Sequence, residues 1–294
     1  MQAQHGFHSE GIDMSAKPSR ATLCQGVCSL VLGAFPATGT GQITGLTYNH
    51  SLASTVGYRS YVGIRLDDKL IDAADTNAVA VQWSRRRRPL TLGYAARVET
   101  ATSVWGYNAD VAFNLGGGED NTLAAYQSED ARITTSSWRA LRGSGNYLTS
   151  FGSGWLWSVR GQFQYSADAM ISGEQFGLGG ASSVRGTSER PISGDSGLFA
   201  STEISTREIV PGLRFLGFVD AGWLYNNNPN GNPKPANDSL HSVGLGLRYS
   251  SPAGFAVSAD FGRVVGASVL PFVVNSGIPQ IGDQRLHINF STRF

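Results

Sequence analysis

Hydrophobic and polar residues alternate along much of the chain, most regularly over residues 284–294. Side chains alternate between the two faces of a β-strand, so this stretch has one apolar face and one polar face. The apolar face carries Leu286, Ile288, Phe290 and Phe294. Such a C-terminal strand, with Phe290 and Phe294 as its aromatic signal, is typical of the strand that closes an outer-membrane barrel. A half-buried strand of a soluble β-sandwich shows the same alternation.

The same period of two predicts eleven strands along the chain, and no 3.6-residue pattern competes with it after about residue 40. The predicted strands lie near residues 42–52, 58–71, 88–99, 104–115, 136–148, 154–167, 197–206, 212–225, 240–250, 254–264 and 284–294.

The connections between these strands alternate between short and long. The long ones lie near residues 72–87, 116–135, 168–196, 226–239 and 265–283. Bacterial outer-membrane barrels have short periplasmic turns and long external loops, so we predict an all-β fold, an antiparallel transmembrane β-barrel. Aromatic residues near strand ends fit either the interfacial girdles of such a barrel or ordinary core packing: Trp105, Trp155, Trp157, Trp223 and Tyr225.

Composition supports a membrane barrel rather than a helical membrane protein. Only 15% of the 294 residues are charged, and no run of 18 or more apolar residues is present to form a spanning helix. A membrane protein without such a run must be a closed barrel, because in lipid every backbone N–H and C=O needs an internal partner. The net charge of +1 gives no electrostatic reason to expect a nucleic-acid partner.

The longest predicted loop, residues 168–196, carries apolar residues between glycines, which favours a hairpin packed against the protein. Inside a barrel, Arg185 of this hairpin would need an acidic partner, because an unpaired desolvated charge is costly. The candidate is Asp220, which faces inward on the strand 212–225 if its two neighbours face lipid. Gly222 on the same face leaves room for the backbone of the loop.

Two groups of residues resemble motifs of the two-partner-secretion transporters, the haemolysin secretion/activation proteins of the ShlB, FhaC and HecB type. The likeness runs from about Thr38 to Phe294 and departs from the family at Thr187, where an aromatic residue is usual. One group lies on a strand and comprises Phe218, Asp220 and Gly222. The other lies in the loop and comprises Glu174, Gln175, Phe176, Gly179, Gly180, Val184, Arg185 and Gly186.

The resemblance implies an outer-membrane pore that exports an unfolded exoprotein of the haemolysin or adhesin type without ATP or a membrane potential. It also implies that the loop folds back into the lumen and that Arg185 pairs there with Asp220. The expected partners are the exoprotein, outer-membrane lipid and lipopolysaccharide, and the barrel assembly machinery. We expect no enzymatic activity, cofactor, metal or nucleic acid.

The resemblance covers residues 38–294, which we expect to form about eleven or twelve of the sixteen strands of a family barrel. Complete members of the family also have a signal peptide, a plug helix and two POTRA domains. Nothing in residues 1–37 resembles a POTRA domain, so we expect a chain truncated at its N-terminus and impaired in secretion. The alternatives for residues 1–37 are a signal peptide that begins at Met14, a twelfth strand, or unrelated sequence.

Other functions remain as alternatives. An outer-membrane protein assembly insertase of the related BamA type also has a Val-Arg-Gly loop, but segments 174–176 and 193–195 favour the secretion branch. A passive diffusion porin or a membrane-embedded hydrolase would not need the pair of Arg185 and Asp220. The run of arginines at 85–88 is either a solvated rim or a contact for lipopolysaccharide phosphates. Cys24 and Cys28 lack a second ligand pair at standard spacing for a metal.

Overall fold

The computed structural model of the protein describes residues 28–31, 39–52, 54–74, 82–230, 234–271 and 277–293. Most of them lie in β-strands, and none of the helices among them is long and apolar enough to cross a membrane. The helices are α1 (Leu123–Glu129) and a 3-10 turn (Ser172–Glu174). The strands are β1 (Cys28–Val31), β2 (Gly39–Ser51), β3 (Tyr58–Ala74), β4 (Gln82–Arg87), β5 (Pro89–Glu99), β6 (Ser103–Asn114), β7 (Arg139–Phe151), β8 (Trp155–Tyr165), β9 (Phe176–Leu178), β10 (Ile192–Gly194), β11 (Ser196–Ser205), β12 (Leu213–Tyr225), β13 (Asn237–Ser250), β14 (Phe255–Gly266) and β15 (Gln284–Thr292).

Thirteen of these strands form one antiparallel sheet. Its order is β1-β15-β14-β13-β12-β11-β8-β7-β6-β5-β3-β2, and β4 pairs with the second half of β3. Within the described ranges, the end strands β1 and β2 do not pair with each other, so the sheet is not closed. β9 and β10 form a separate hairpin that belongs to the connection between β8 and β11.

The two faces of the sheet differ in what covers them. Residues 168–195, which we call the inserted loop, pack against one face, which we call the inner face. The opposite, outer face exposes large apolar side chains such as Val219, whereas its neighbour Asp220 on the inner face is fully buried. An exposed apolar surface that extends across the strands on one face of a sheet is typical of contact with lipid.

The aromatic residues at strand ends lie on the outer face. Trp105, Trp155, Trp157, Trp223 and Tyr225 are each between 38% and 50% exposed, so the core-packing alternative is wrong for them. Phe290 of β15 also lies on this face, and its ring centroid is 4.4 Å from that of Phe255 on β14. Phe294 lies outside the described residues.

Each of the eleven predicted strands corresponds to one strand of the large sheet, but the sequence missed several elements. The predicted loop 72–87 contains β4. β1 pairs with β15, as expected for the twelfth strand that was one alternative for residues 1–37. α1 lies in the predicted loop 116–135, where no 3.6-residue pattern indicated a helix. The helix is only seven residues long with Tyr126 as its one buried residue, too short to show a helical period.

Two apolar clusters hold the long connections against the sheet. The first joins α1 to the start of the inserted loop through Tyr126, Ile133, Trp138, Met170 and Ile171, with smaller residues of β6 and β7. The second joins the inserted loop to β11–β14 through Leu178, Val184, Ile192, Phe199, Leu224, Leu240 and Val264. Since these side chains are almost fully buried, the loop has a fixed position on the inner face.

Candidate functional site on the inner face of the sheet

The inserted loop reverses direction at glycines. Gly179 and Gly180 follow β9 with φ values of +105° and +96°, and Gly186 at the tip has a φ of +96°. Only glycine adopts this left-handed region without strain. A Cβ on Gly179 or Gly180 would also collide with the returning strand of the loop. The glycines therefore fix the shape of the hairpin that presents the tip to the inner face.

The tip places Arg185 against Asp220 of β12, the two residues that the sequence paired. The Arg185 Nε atom donates to Asp220 Oδ2 at 2.8 Å, and Nη2 donates to Oδ1 at 2.7 Å. The backbone N–H of Arg185 donates to the same carboxylate at 3.1 Å. Their side chains are 1% and 0% exposed. A bidentate pair with a third donor is the geometry that a buried ion pair needs to offset its desolvation.

Two further carboxylates surround the same guanidinium. Arg185 Nη1 lies 2.6 Å from Glu203 Oε1 on β11 and 3.6 Å from Asp260 Oδ2 on β14. We call Glu203, Asp220 and Asp260 the acidic anchor. The ring of Phe218, also predicted as a site residue, lies under the guanidinium, 3.4 Å from Cζ to the ring centroid. This stacking adds a cation–π contact to the ion pairs.

The sequence analysis missed Glu203 and Asp260, although one signal was available. β12 carries Asp220-Ala-Gly222, and β14 repeats the same spacing as Asp260-Phe-Gly262. Asp260 is also held by Arg248 of β13, with Nη1–Oδ1 and Nη2–Oδ2 distances of 2.7 and 3.0 Å. The repeated pattern therefore marks two places where the wall receives the loop.

The glycines of the wall make room for the loop, but not in the way the sequence predicted. At Gly222 it is the Leu178 side chain, not the loop backbone, that occupies the space, and an added Cβ would lie 2.5 Å from Leu178 Cδ2. Backbone approaches backbone at Gly262, which lies against Gly186. The Gly186 N–H also donates to His287 Nε2 of β15 at 3.3 Å.

Thr187 stands where the resemblance led us to expect an aromatic residue. Its hydroxyl accepts from the Gly180 N–H at 3.0 Å and donates to the Val184 carbonyl at 3.0 Å. These bonds connect the two arms of the hairpin. In this chain the tip is thus closed by a buried hydroxyl, while Val184 beside it is fully buried in the second apolar cluster.

Glu174, at the base of the inserted loop, has three cationic neighbours on three different strands. Its Oε1 atom lies 2.5 Å from Arg87 Nε of β4 and 3.6 Å from Lys69 Nζ of β3. Its Oε2 atom accepts from Arg142 Nη2 of β7 at 2.8 Å. We call Lys69, Arg87 and Arg142 the basic anchor. Burial alone would raise the pKa of Glu174, but Arg142, Arg87 and Lys69 outweigh it and hold the pKa below its ordinary value.

The arginine run at 85–88 is therefore not the solvated rim that the sequence offered as one alternative. Arg85 and Arg87 are 9% and 6% exposed, and they pair with Glu129 and Glu174. Arg86 and Arg88 both pair with Asp68 of β3, at 2.5 and 3.2 Å. All four cations have carboxylate partners, a pattern that the sequence could not reveal because Glu129 and Glu174 belong to distant loops.

Gln175 and Phe176, which follow Glu174, also fix the base of the inserted loop. The Gln175 side chain donates to the Met170 carbonyl at 2.8 Å and accepts from Lys234 Nζ at 2.7 Å. The Phe176 ring lies over Gly197, where a Cβ would come within 2.2 Å of it. Gln175 thus connects the loop to the connection between β12 and β13, and Phe176 connects it to β11.

Asp195, where the loop returns to the sheet, is fully buried and collects donors from three connections. It accepts from the Met170 N–H at 2.9 Å, the Asn227 N–H at 2.8 Å and Arg132 Nη1 at 3.0 Å. Arg132 in turn pairs with Asp130 at 2.7 Å. The external connections thus converge on one carboxylate, which the sequence analysis had used only as part of the segment 193–195.

The fold and site define a class: an antiparallel membrane barrel sheet with a basic loop buried against an acidic inner wall. The profile of the family described as "Haemolysin secretion/activation protein ShlB/FhaC/HecB" matches residues 36–249. The chain belongs to this family, and a bacterial outer-membrane location follows from it.

Relatives of known identity agree with the family assignment. The outer membrane transporter CdiB of Dickeya dadantii (strain 3937) is 31% identical over 156 residues, which are 49% of this chain and 26% of that protein. An outer membrane transporter CdiB of Escherichia coli O6:K15:H31 (strain 536 / UPEC) is 36% identical over 75 residues, 24% of this chain and 13% of that protein. The chain therefore matches only a minor part of the length of these relatives.

Solved structures show a similar fold. CdiB from Escherichia coli matches with a TM-score of 0.66 and 19% identity, over 87% of this chain and 46% of that chain. CdiB from Acinetobacter baumannii matches with a TM-score of 0.64 and 19% identity, over 86% and 42%. BamA from Haemophilus ducreyi, lacking POTRA domains 1–3, matches with a TM-score of 0.61 and 13% identity, over 87% and 55%. At these identities the likeness concerns the fold alone.

Proposed function

We propose that the chain forms the barrel part of an outer-membrane pore that secretes a large exoprotein of the haemolysin or adhesin type by the two-partner pathway. The observation that carries this proposal is the burial of Arg185 in the acidic anchor. A loop held by a buried ion pair inside a membrane barrel can close the lumen and still be released. The function we propose is transport of a polypeptide rather than catalysis.

The strength of the anchor suits a gate. A pair of opposite charges in a partly hydrated lumen interacts by roughly 1–4 kcal/mol at an effective dielectric of about 20 or more. Such an interaction biases the loop toward the inserted position without fixing it permanently. In this mechanism Arg185 is the moving charge, Asp220 is its partner on the wall, and Gly222 and Phe218 shape the seat.

The remaining motif residues have supporting roles in this proposal. Gly179, Gly180 and Gly186 give the loop its shape, and Val184 packs the tip against the sheet. The base of the loop is fixed by Glu174, Gln175 and Phe176. The apolar outer face would contact outer-membrane lipid, and Phe290 and Phe294 would be read by the barrel assembly machinery. We further propose residues 38–294 as the barrel unit, to which the N-terminal segment 1–37 adds β1 beside β15.

The charges of the chain give less support to lipopolysaccharide than to the other proposed partners. Arg86 and Arg88 lie in the segment that we expected to contact its phosphates, but both already pair with the Asp68 carboxylate. A phosphate would therefore have to compete with a carboxylate, which weakens the electrostatic case.

Ion conductance in planar lipid bilayers tests the gate. If the loop closes the pore, Arg185→Ala and Asp220→Ala both raise the mean conductance over that of the unchanged chain, because either change leaves the tip without its partner. Arg97→Ala is the matched control, since Arg97 is 63% exposed and pairs only with Glu99 among the described residues. Equal conductance for all four proteins would refute the gate, and so would a rise that the Arg97→Ala control shares.

A further inference from the structure

The basic anchor is a cluster of cations that the export mechanism above does not use. The geometry points to Lys69, Arg87 and Arg142 as a carboxylate-binding site in the lumen. Glu174 fills it while the loop is inserted, and an acidic side chain of the polypeptide in transit fills it when the loop moves. This inference rests on the proposed export function and names the chemical class of segment that the lumen binds.

The three cations of the basic anchor lie close together and favour an anion among them. The side chain of Arg87 is 8% exposed, and that of Glu174, its partner, is 3% exposed. Arg142 is directed by Gln164, which accepts from its Nε at 2.8 Å. The inserted loop covers Arg87, since a Cβ on Gly173 would lie 2.4 Å from Arg87 Nη1. Withdrawal of the loop would therefore leave three clustered cations facing the lumen, and another carboxylate at the same place would restore their ion pairs.

A carboxylate can reach the basic anchor through a cavity on the inner face. A cavity of about 410 Å³ on the inner face is lined by residues that include Lys69 and Arg142 of the anchor, with Arg65, Asn108 and Asp110. Lys69 is also 3.7 Å from Asp67, so the existing acid satisfies it only weakly. An extended peptide in this cavity would meet Lys69 and Arg142, two of the three cations.

The inserted loop compensates two oppositely charged walls at once. The loop carries Glu174 to a basic wall and Arg185 to an acidic wall, so its withdrawal would leave both walls uncompensated. Exchange of Glu174 for an acidic side chain of the passing chain breaks one set of ion pairs and forms an equivalent set. The loop base is thereby freed with little net change in electrostatic energy.

Peptide binding to the detergent-solubilised chain tests the site without requiring any conductance. The probe is a Gly-Ser peptide with four glutamates and an uncharged fluorophore, followed by fluorescence anisotropy, and the same peptide with four glutamines is the reference. Glu174 competes at an effective concentration of about a millimolar, so Glu174→Gln should tighten binding of the acidic peptide by roughly tenfold. Glu208→Gln makes the same charge change in an exposed turn and should leave binding at the wild-type level.

Two more variants complete the test. Adding Arg142→Gln to Glu174→Gln should abolish the gain, whereas Glu174→Asp, with a shorter reach, should give an intermediate affinity even if the glutamine variant does not fold. Faster gel migration before heating confirms that each variant is folded. The inference is overturned if folded Glu174→Gln or Glu174→Asp binds no tighter than wild type, or if the glutamine peptide binds equally well. A pore that does not conduct but binds the acidic peptide in this pattern would reject the export function alone.

Discussion

Gly186 at the tip of the inserted loop and Gly262 on β14 lie so close together that neither can carry a side chain. A Cβ on Gly186 would lie 2.8 Å from the carbonyl carbon of Gly262, and a Cβ on Gly262 would lie 2.6 Å from the Gly186 nitrogen. The contact joins backbone to backbone, so no side chain can move aside to relieve it. The tip therefore has a defined seat on the wall, two strands away from Asp220.

Substitution at Gly262 should displace the tip. Because overpacking costs about 1–3 kcal/mol, Gly262→Ala should lower the free energy of unfolding by an amount in this range. Gly217→Ala on β12 is the control, since a Cβ there meets its nearest neighbour at an ordinary 3.9 Å. Urea unfolding of both variants in lipid vesicles gives the comparison. Equal stability of the two variants would show that Gly262 does not position the tip of the loop.

Removal of the Asp220 carboxylate from the acidic anchor should lower the free energy of unfolding more than removal of an exposed ion-pair partner does. Asp220→Ala leaves Arg185 buried beside only Glu203 and Asp260, and a loss of about 3–5 kcal/mol is expected. Glu99→Ala, which breaks an exposed pair with Arg97, should cost at most about 1 kcal/mol. Urea unfolding measures both, and a double-mutant cycle with Arg185→Ala isolates the coupling. A coupling energy near zero would mean that the two residues act independently.

The period of two in the sequence was enough to place eleven strands, because each strand has an apolar side on the outer face and a more polar side on the inner face. It could not find β4, whose arginines Arg85 and Arg87 are buried and look like exposed rim residues in the sequence. It also could not find α1, whose seven residues contribute a single buried side chain, Tyr126. In both cases distant partners, rather than local pattern, determine the structure.

The site divides in the same way. The need for an acidic partner singled out Arg185 and Asp220, because a buried arginine and an inward aspartate are each costly alone. The partners of Glu174 could not be predicted, since Lys69, Arg87 and Arg142 become neighbours only when β3, β4 and β7 are assembled. The same holds for Asp195 and Arg132, which lie in different external connections.

The hydrogen bonds to Asp195 should keep the external connections structurally ordered. Asp195→Asn removes a buried charge that accepts from Arg132, and breaking such a pair is expected to cost about 3 kcal/mol. We therefore expect a protease added to intact cells to cleave the Asp195→Asn variant faster than the unchanged chain within residues 116–138 and 168–195. Asp168→Asn is the control, because Asp168 accepts from the Arg139 N–H at an exposed position. Identical cleavage of both variants would show that Asp195 does not organise these loops.

The basic anchor gives a pH dependence of defined sign. The pKa of Glu174 in the folded protein is below its ordinary value of about 4.3, so the ionised form stabilises the fold. The stability difference between the unchanged chain and Glu174→Gln should be constant above about pH 5, and it should shrink as the pH falls through the lowered pKa. Urea unfolding between about pH 3 and 7 measures it. A difference that grows on acidification would have the wrong sign.

The position of the inserted loop can be measured directly by cryo-electron microscopy of the protein in a lipid nanodisc. The expected map shows residues 168–195 against the inner face, with Arg185 Nη2 within hydrogen-bonding distance of Asp220 Oδ1, as in the 2.7 Å contact described above. A map in which the loop lies outside the barrel, or in which the guanidinium is separated from this carboxylate by water, would contradict the proposed gate.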